Sequence, residues 1–129
     1  MKYDNGLKKI LLIDDDVDQT AMYKHPFEKS GFDVSVENKP LNAVAGAIGW
    51  KPDLILLDIV MEDMDGVEVL RKLKENKHTK DIPVVMLTNT YDKKIVDEVK
   101  TIGASDYWEK TKMMPSDIVR KSKKLLNMA

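Results

Sequence analysis

The sequence predicts an α/β domain built on a parallel sheet, a (βα)5 alternation of strands and helices. Five short apolar runs, Ile10–Ile13, Val34–Val36, Leu54–Leu57, Val84–Leu87 and the weaker Asp106–Trp108, alternate with stretches of helical period. Three of these runs are continuous rather than alternating, the pattern of strands buried on both faces. The chain has 129 residues, enough for one core and too few for two.

In chain order, the first run leads into an amphipathic stretch, roughly Val17 to Ser30, with Gly31 where a helix-terminating glycine belongs. Pro26 stands well past the first turn of that helix. It removes the bond to residue 22 and crowds its carbonyl, so a kink or an early break is expected. After the second run, Pro40 suits a first helical turn, and Leu41, Val44, Ala45 and Ile48 fall on one helical face. After the third, Asp65 can cap a helix that starts at Gly66. The fourth is followed by the stripe Ile95, Val96, Val99 and Ile102, ended by Gly103. Past the fifth, Pro115 opens a helix with the stripe Ile118, Val119, Ser122, Leu125 and Leu126. No repeat, low-complexity tract or linker intervenes, so residues 1–129 read as a single domain with no second domain after it.

Composition narrows the chemistry. Hydrophobic residues make up 43% and charged residues 33%, the balance of a soluble globule. There are 21 Lys and Arg against 22 Asp and Glu, a net charge of −1, which points neither to nucleic acid nor to an anionic membrane. Without cysteine there is no disulfide framework, thiolate metal site or Cys nucleophile. Met1 to Gly6 is polar, unlike a secretory leader, and the apolar runs are too short to span a bilayer. A cytoplasmic location is expected.

In an open parallel sheet, ligands bind outside the carboxyl ends of the strands. The first strand ends on Asp14, Asp15 and Asp16, the third on Asp58, the fourth on Thr88, and the fifth runs through Glu109 to Lys110. Each alone has a bland explanation: an acidic turn, a helix cap, a β-branched strand residue, a surface lysine. Their conjunction on four strand ends of one rim does not. Clustered carboxylates repel one another and are tolerated when a cation neutralises them, and oxygen-only ligands suit Mg2+ or Mn2+ rather than zinc. A carboxylate nucleophile, a metal, a lysine and a hydroxyl are also the parts phosphoryl transfer needs.

Five stretches carry a family resemblance: Lys9 to Asp15, Pro52 to Asp58, Met64-Asp65-Gly66, Pro83 to Thr88 and Gly103 to Tyr107. Over nearly its whole length the chain resembles the receiver domain of two-component response regulators, in particular the single-domain chemotaxis regulators. The resemblance implies a flavodoxin-like, doubly wound five-stranded sheet of order 2-1-3-4-5. It implies Asp58 as phospho-acceptor, Asp15 as a direct metal ligand, Asp14 acting largely through water, and the Val60 backbone carbonyl completing the protein's coordination. It makes Thr88 the hydroxyl that moves toward the phosphoryl group, Lys110 the lysine that pairs with it, and Tyr107 the switch aromatic that turns inward. Val60 and Thr90 would border the path of a hydrolytic water, and an apolar Val60 there implies slow self-dephosphorylation. The sequence departs from the family pattern in three places. Glu62 stands where proline is common, Asn89 where a small residue follows the hydroxyl, and Thr111 where the lysine is usually followed by proline after a cis bond. A trans bond and a rearranged loop are expected at Thr111.

Two other readings compete. Asp14-Asp15-Asp16-Val17 resembles the start of the haloacid dehalogenase phosphatase motif, but Asp18 departs from it, no second acidic pair follows Lys110, and Asp58 is left unexplained. A receiver fold acting only as a docking module would not need the acceptor, metal and lysine positions. The expected partners are a sensor histidine kinase or phosphotransfer protein as donor, and an unknown downstream protein at the face formed by residues 92–129. Neither direct nucleic-acid binding nor membrane contact is expected, and the only reaction expected is the chain's own phosphorylation and dephosphorylation.

Overall fold

A computed structural model describes residues 6–62, 64–89 and 91–128. The strands are β1 (Lys9–Ile13), β2 (Asp33–Glu37), β3 (Leu54–Asp58), β4 (Val84–Thr88) and β5 (Asp106–Glu109). The helices are α1 (Val17–Lys29), α2 (Ala43–Trp50), α3 (Gly66–Glu75), α4 (Lys93–Ile102) and α5 (Pro115–Leu125). The sheet is wholly parallel in the order β2-β1-β3-β4-β5. Every residue of β3 and β4 is buried, as their unbroken apolar sequences require.

Alternate side chains divide the core into two layers. Leu11, Ile13, Ile55, Leu57, Val84 and Met86 pack on the α2, α3 and α4 side against Ala47, Leu70, Leu73 and Val99. Ile10, Leu12, Leu54, Leu56, Val85, Leu87 and Trp108 pack on the other side against Tyr23 and Phe27 of α1 and Ile118 and Val119 of α5. The register places Ile13 opposite Leu57, Asp58 opposite Leu87, and Thr88 opposite Glu109. The strands therefore end level, and their carboxyl ends form a single rim. No helix among the described residues is long and apolar enough to cross a membrane.

Two local expectations change. Helix α1 does not break early at Pro26 but runs on to Lys29. Pro26 O still accepts from Ser30 N at 3.2 Å, and Phe27, fully buried and edge-on to Phe32, holds the last turn to the core. The residue whose carbonyl loses a partner, Met22, lies on the exposed side of the helix, where water can replace it. The stripe expected in α2 is also displaced. Leu41 is exposed in a short 3-10 turn, Pro40–Asn42, and Ala45 is exposed, while Ala43 and Ala47 face the core. Val44 of the expected stripe still packs, partly buried, against the core.

Candidate functional site

Each strand end delivers one piece of the rim. The chain leaves β1 through Asp14, whose N–H continues the sheet pairing by donating to Glu37 O at 3.2 Å. Asp16 then caps α1: its side chain accepts from Gln19 N, and its own N–H donates to Asp14 Oδ1 at 3.0 Å. Asn38, just past β2, braces this loop by donating to Asp14 O at 2.8 Å and Thr20 Oγ1 at 3.1 Å.

Asp14, Asp15 and Asp58 each offer a carboxylate oxygen within 4.8 Å of the others. Asp14 and Asp58 are only 8% and 9% exposed. Lys110, 7% exposed, places Nζ 3.3 Å from Asp58 Oδ1 and 3.4 Å from Asp14 Oδ2. Burial pushes the Asp58 carboxyl up to about 6; Lys110 pulls it down and the neighbouring Asp14 adds to the rise. Asp14 is raised for the same first reason, opposed by the Asp16 N–H and by Lys110. Beneath the two carboxylates, Thr20 and Tyr23 help line a cavity with room for about one water. Burial and these carboxylates raise the Tyr23 phenol above its usual value.

Thr88, buried at the end of β4, bonds the side chain of Tyr107. The Tyr107 phenol is raised mainly by burial, while the bonds from Thr88 and the Asp92 backbone act to lower it. Its ring is half-buried and meets exposed Tyr91 edge-on, with centroids 6.2 Å apart. Val60, two residues beyond Asp58, is 78% exposed. Thr90 lies outside the described residues.

The three departures from the family pattern form specific contacts. Glu62 has the backbone N–H that proline lacks, and it donates to Asp15 Oδ2 at 2.8 Å. All peptide bonds of the described residues are trans. Beyond Lys110 the chain turns through a 3-10 segment, Lys110–Lys112, where the Thr111 hydroxyl donates to Asn89 O at 3.4 Å. Lys110 still reaches the carboxylates.

Two residues at the site, Gln19 and Asn38, and the packing role of a third, Gly66, escape sequence reasoning. Gln19 accepts a hydrogen bond from Lys110 Nζ; three positions after Asp16, it reads in sequence as part of a helix cap. Asn38 carries no sequence signal beyond a turn. Gly66 reads as the start of a helix capped by Asp65, which does accept from Val67 N at 2.8 Å. A Cβ on Gly66 would also lie 2.0 Å from Asp58 O and 2.7 Å from Ile59 Cα. This glycine lets α3 press against the backbone that carries Asp58.

Comparison with known proteins agrees with this geometry. Residues 10–121 match the family model of the response regulator receiver domain. The alkaline phosphatase synthesis transcriptional regulatory protein PhoP of Bacillus subtilis is 36% identical over 106 residues, covering 80% of this chain and 42% of that protein. The chain spans about half the length of the curated relatives it matches. A CheY-like receiver domain protein from Methanospirillum hungatei superposes with a TM-score of 0.86 at 27% identity, covering 94% of each chain. The Mn2+-bound form of response regulator Rcp1 superposes with a TM-score of 0.79 at 25% identity, over 92% of this chain and 94% of that one. With its sheet order, its acidic rim and its matching span all in agreement, the chain belongs to the response regulator receiver domain family, the modules of two-component systems that transmit signals through phosphorylation.

Proposed function

We propose that Asp58 accepts a phosphoryl group beside a divalent cation, and that the altered rim is read by a partner protein. The observation that supports this best is the convergence of a buried carboxylate cluster with the Lys110 ammonium 3.3 Å from Asp58 Oδ1. The donor is a phosphohistidine on a sensor histidine kinase or a phosphotransfer protein. An Asp58 oxygen forms its bond to phosphorus as the bond from phosphorus to the imidazole nitrogen breaks, and that nitrogen keeps the electron pair.

Asp14, Asp15, Asp58 and the Val60 carbonyl would hold Mg2+ or Mn2+, hard ions suited to an all-oxygen set. A bound ion offsets the repulsion among the carboxylates and neutralises phosphoryl charge. The Mn2+ in the similar Rcp1 structure supports such a site. Lys110 pairs with a phosphoryl oxygen. Thr88 donates its hydroxyl to another, exchanging its bond to Tyr107, which turns further inward. Val60 offers an attacking water no hydrogen bond, which favours a long-lived phosphorylated state. The downstream protein docks on the face carried by α4, β5 and α5, within residues 92–129, with no direct nucleic-acid or membrane contact, and the chain works in the cytoplasm. Its chemistry is confined to its own phosphorylation and dephosphorylation.

Incubation with Mg2+ and acetyl phosphate should add one acid-stable, base-labile phosphoryl group, lost in Asp58→Asn and without metal. Undiminished labelling of Asp58→Asn would remove Asp58 from this role.

A further inference from the structure

The Lys110 ammonium has three N–H groups and, among the described residues, three acceptors around it: Asp58 Oδ1 at 3.3 Å, Asp14 Oδ2 at 3.4 Å and the amide oxygen of Gln19. Two of these belong to the carboxylate cluster suited to a cation, and one of those two is also the proposed phosphorylation point. Gln19 is neither. It sits in the first turn of α1, its backbone N–H fixed by Asp16 Oδ1 at 3.1 Å, and Asp16 N–H is in turn tied to Asp14 Oδ1 at 3.0 Å. The helix start thus aims a neutral acceptor at the lysine from outside the carboxylate cluster.

The distinction matters once the carboxylates are engaged. A cation that draws on Asp14 and Asp58 weakens their hold on a second positive charge and repels it. A buried lysine with nothing else to bond would swing away and lose its alignment. An amide oxygen keeps its full hydrogen bond without competing for charge. We propose that Gln19 is a positioning residue that holds the Lys110 ammonium at the rim while Asp14 and Asp58 are occupied, keeping it ready for an incoming phosphoryl oxygen. This rests on the function proposed above.

The test separates cation binding from phosphoryl binding. Gln19→Met keeps the side chain's length and removes the acceptor. Its Mg2+ affinity, read by intrinsic fluorescence, should stay within about twofold of the parent, because its ligands are untouched. Its affinity for beryllofluoride, a phosphoryl mimic, and its phosphorylation rate with acetyl phosphate at saturating Mg2+ should both fall about five- to tenfold, the loss of one charge-assisted hydrogen bond. In a Lys110→Ala background the same substitution should have no further effect, since Gln19 acts through the lysine. Parent-level beryllofluoride affinity in Gln19→Met, an equal loss of Mg2+ affinity, or an undiminished effect in the Lys110→Ala background would each overturn the inference. Lack of phosphorylation in the parent itself would instead overturn the functional reading, and the inference with it.

Discussion

Asp58 closes a strand without a single exposed residue, and burial outweighs the Lys110 ammonium in setting its acidity. Its carboxyl is raised from 3.8 to about 6, so the native state binds this proton more tightly than the unfolded chain does. The stabilisation is complete below about pH 4 and is lost as pH rises through about 6. A shift of about two units corresponds to roughly 3 kcal/mol at most. The melting temperature of the metal-free protein should therefore carry a downward contribution from this site between about pH 4 and 6. Asp58→Asn should flatten that segment and melt higher than the parent above it. Equal slopes in the two proteins would show that Asp58 ionises without cost. Sequence makes the charged groups legible because charge at a strand end is conspicuous: Asp14, Asp15, Asp58 and Lys110 do meet. Gln19, Asn38 and the Glu62 N–H are not legible. They act through uncharged groups, two side-chain amides and a backbone N–H, whose partners lie 91, 24 and 47 residues away.

At the scale of elements, the rim depends on how closely α3 approaches the end of β3. Gly66 N donates to Ile59 O at 2.8 Å, and a side chain at Gly66 would overlap the Asp58 carbonyl. Gly66→Ala should thus displace either the helix or the acceptor backbone, costing about 1–3 kcal/mol and lowering the melting temperature by on the order of 5–10 °C. A parent-like melting curve would mean that the loop relaxes freely. Three strands were legible because continuous apolar runs bounded by polar turns leave little choice, and β2 and β5 because their shorter runs fall between helical stretches. Periodicity failed for α2, where the stripe through Leu41 and Ala45 assumed a helix beginning at Pro40. Pro40–Asn42 form a 3-10 turn instead, which pattern alone does not reveal. Pro26 shows the opposite case, since the local penalty is overridden by Phe27, an anchor that only the tertiary fold supplies.

For the molecule as a whole, the strand order fixes where each function sits relative to the edges. β3 is central, paired with β1 on one side and β4 on the other, and fully buried. β5 pairs only with β4 and has exposed and half-exposed residues along its length. Opening free energies grade from frayed edges to the core. Amides of Ile55 to Leu57 should exchange with deuterium only through global unfolding, and those of Tyr107 to Glu109 by smaller openings at least tenfold more often. Equal exchange in the two strands would contradict this gradient. The proposed mark is thus written on the strand slowest to open. On that gradient Asp58 should stay with its neighbours on β1 and β4 until the whole sheet opens, while β5, which carries Tyr107, should be free to rearrange without disturbing them.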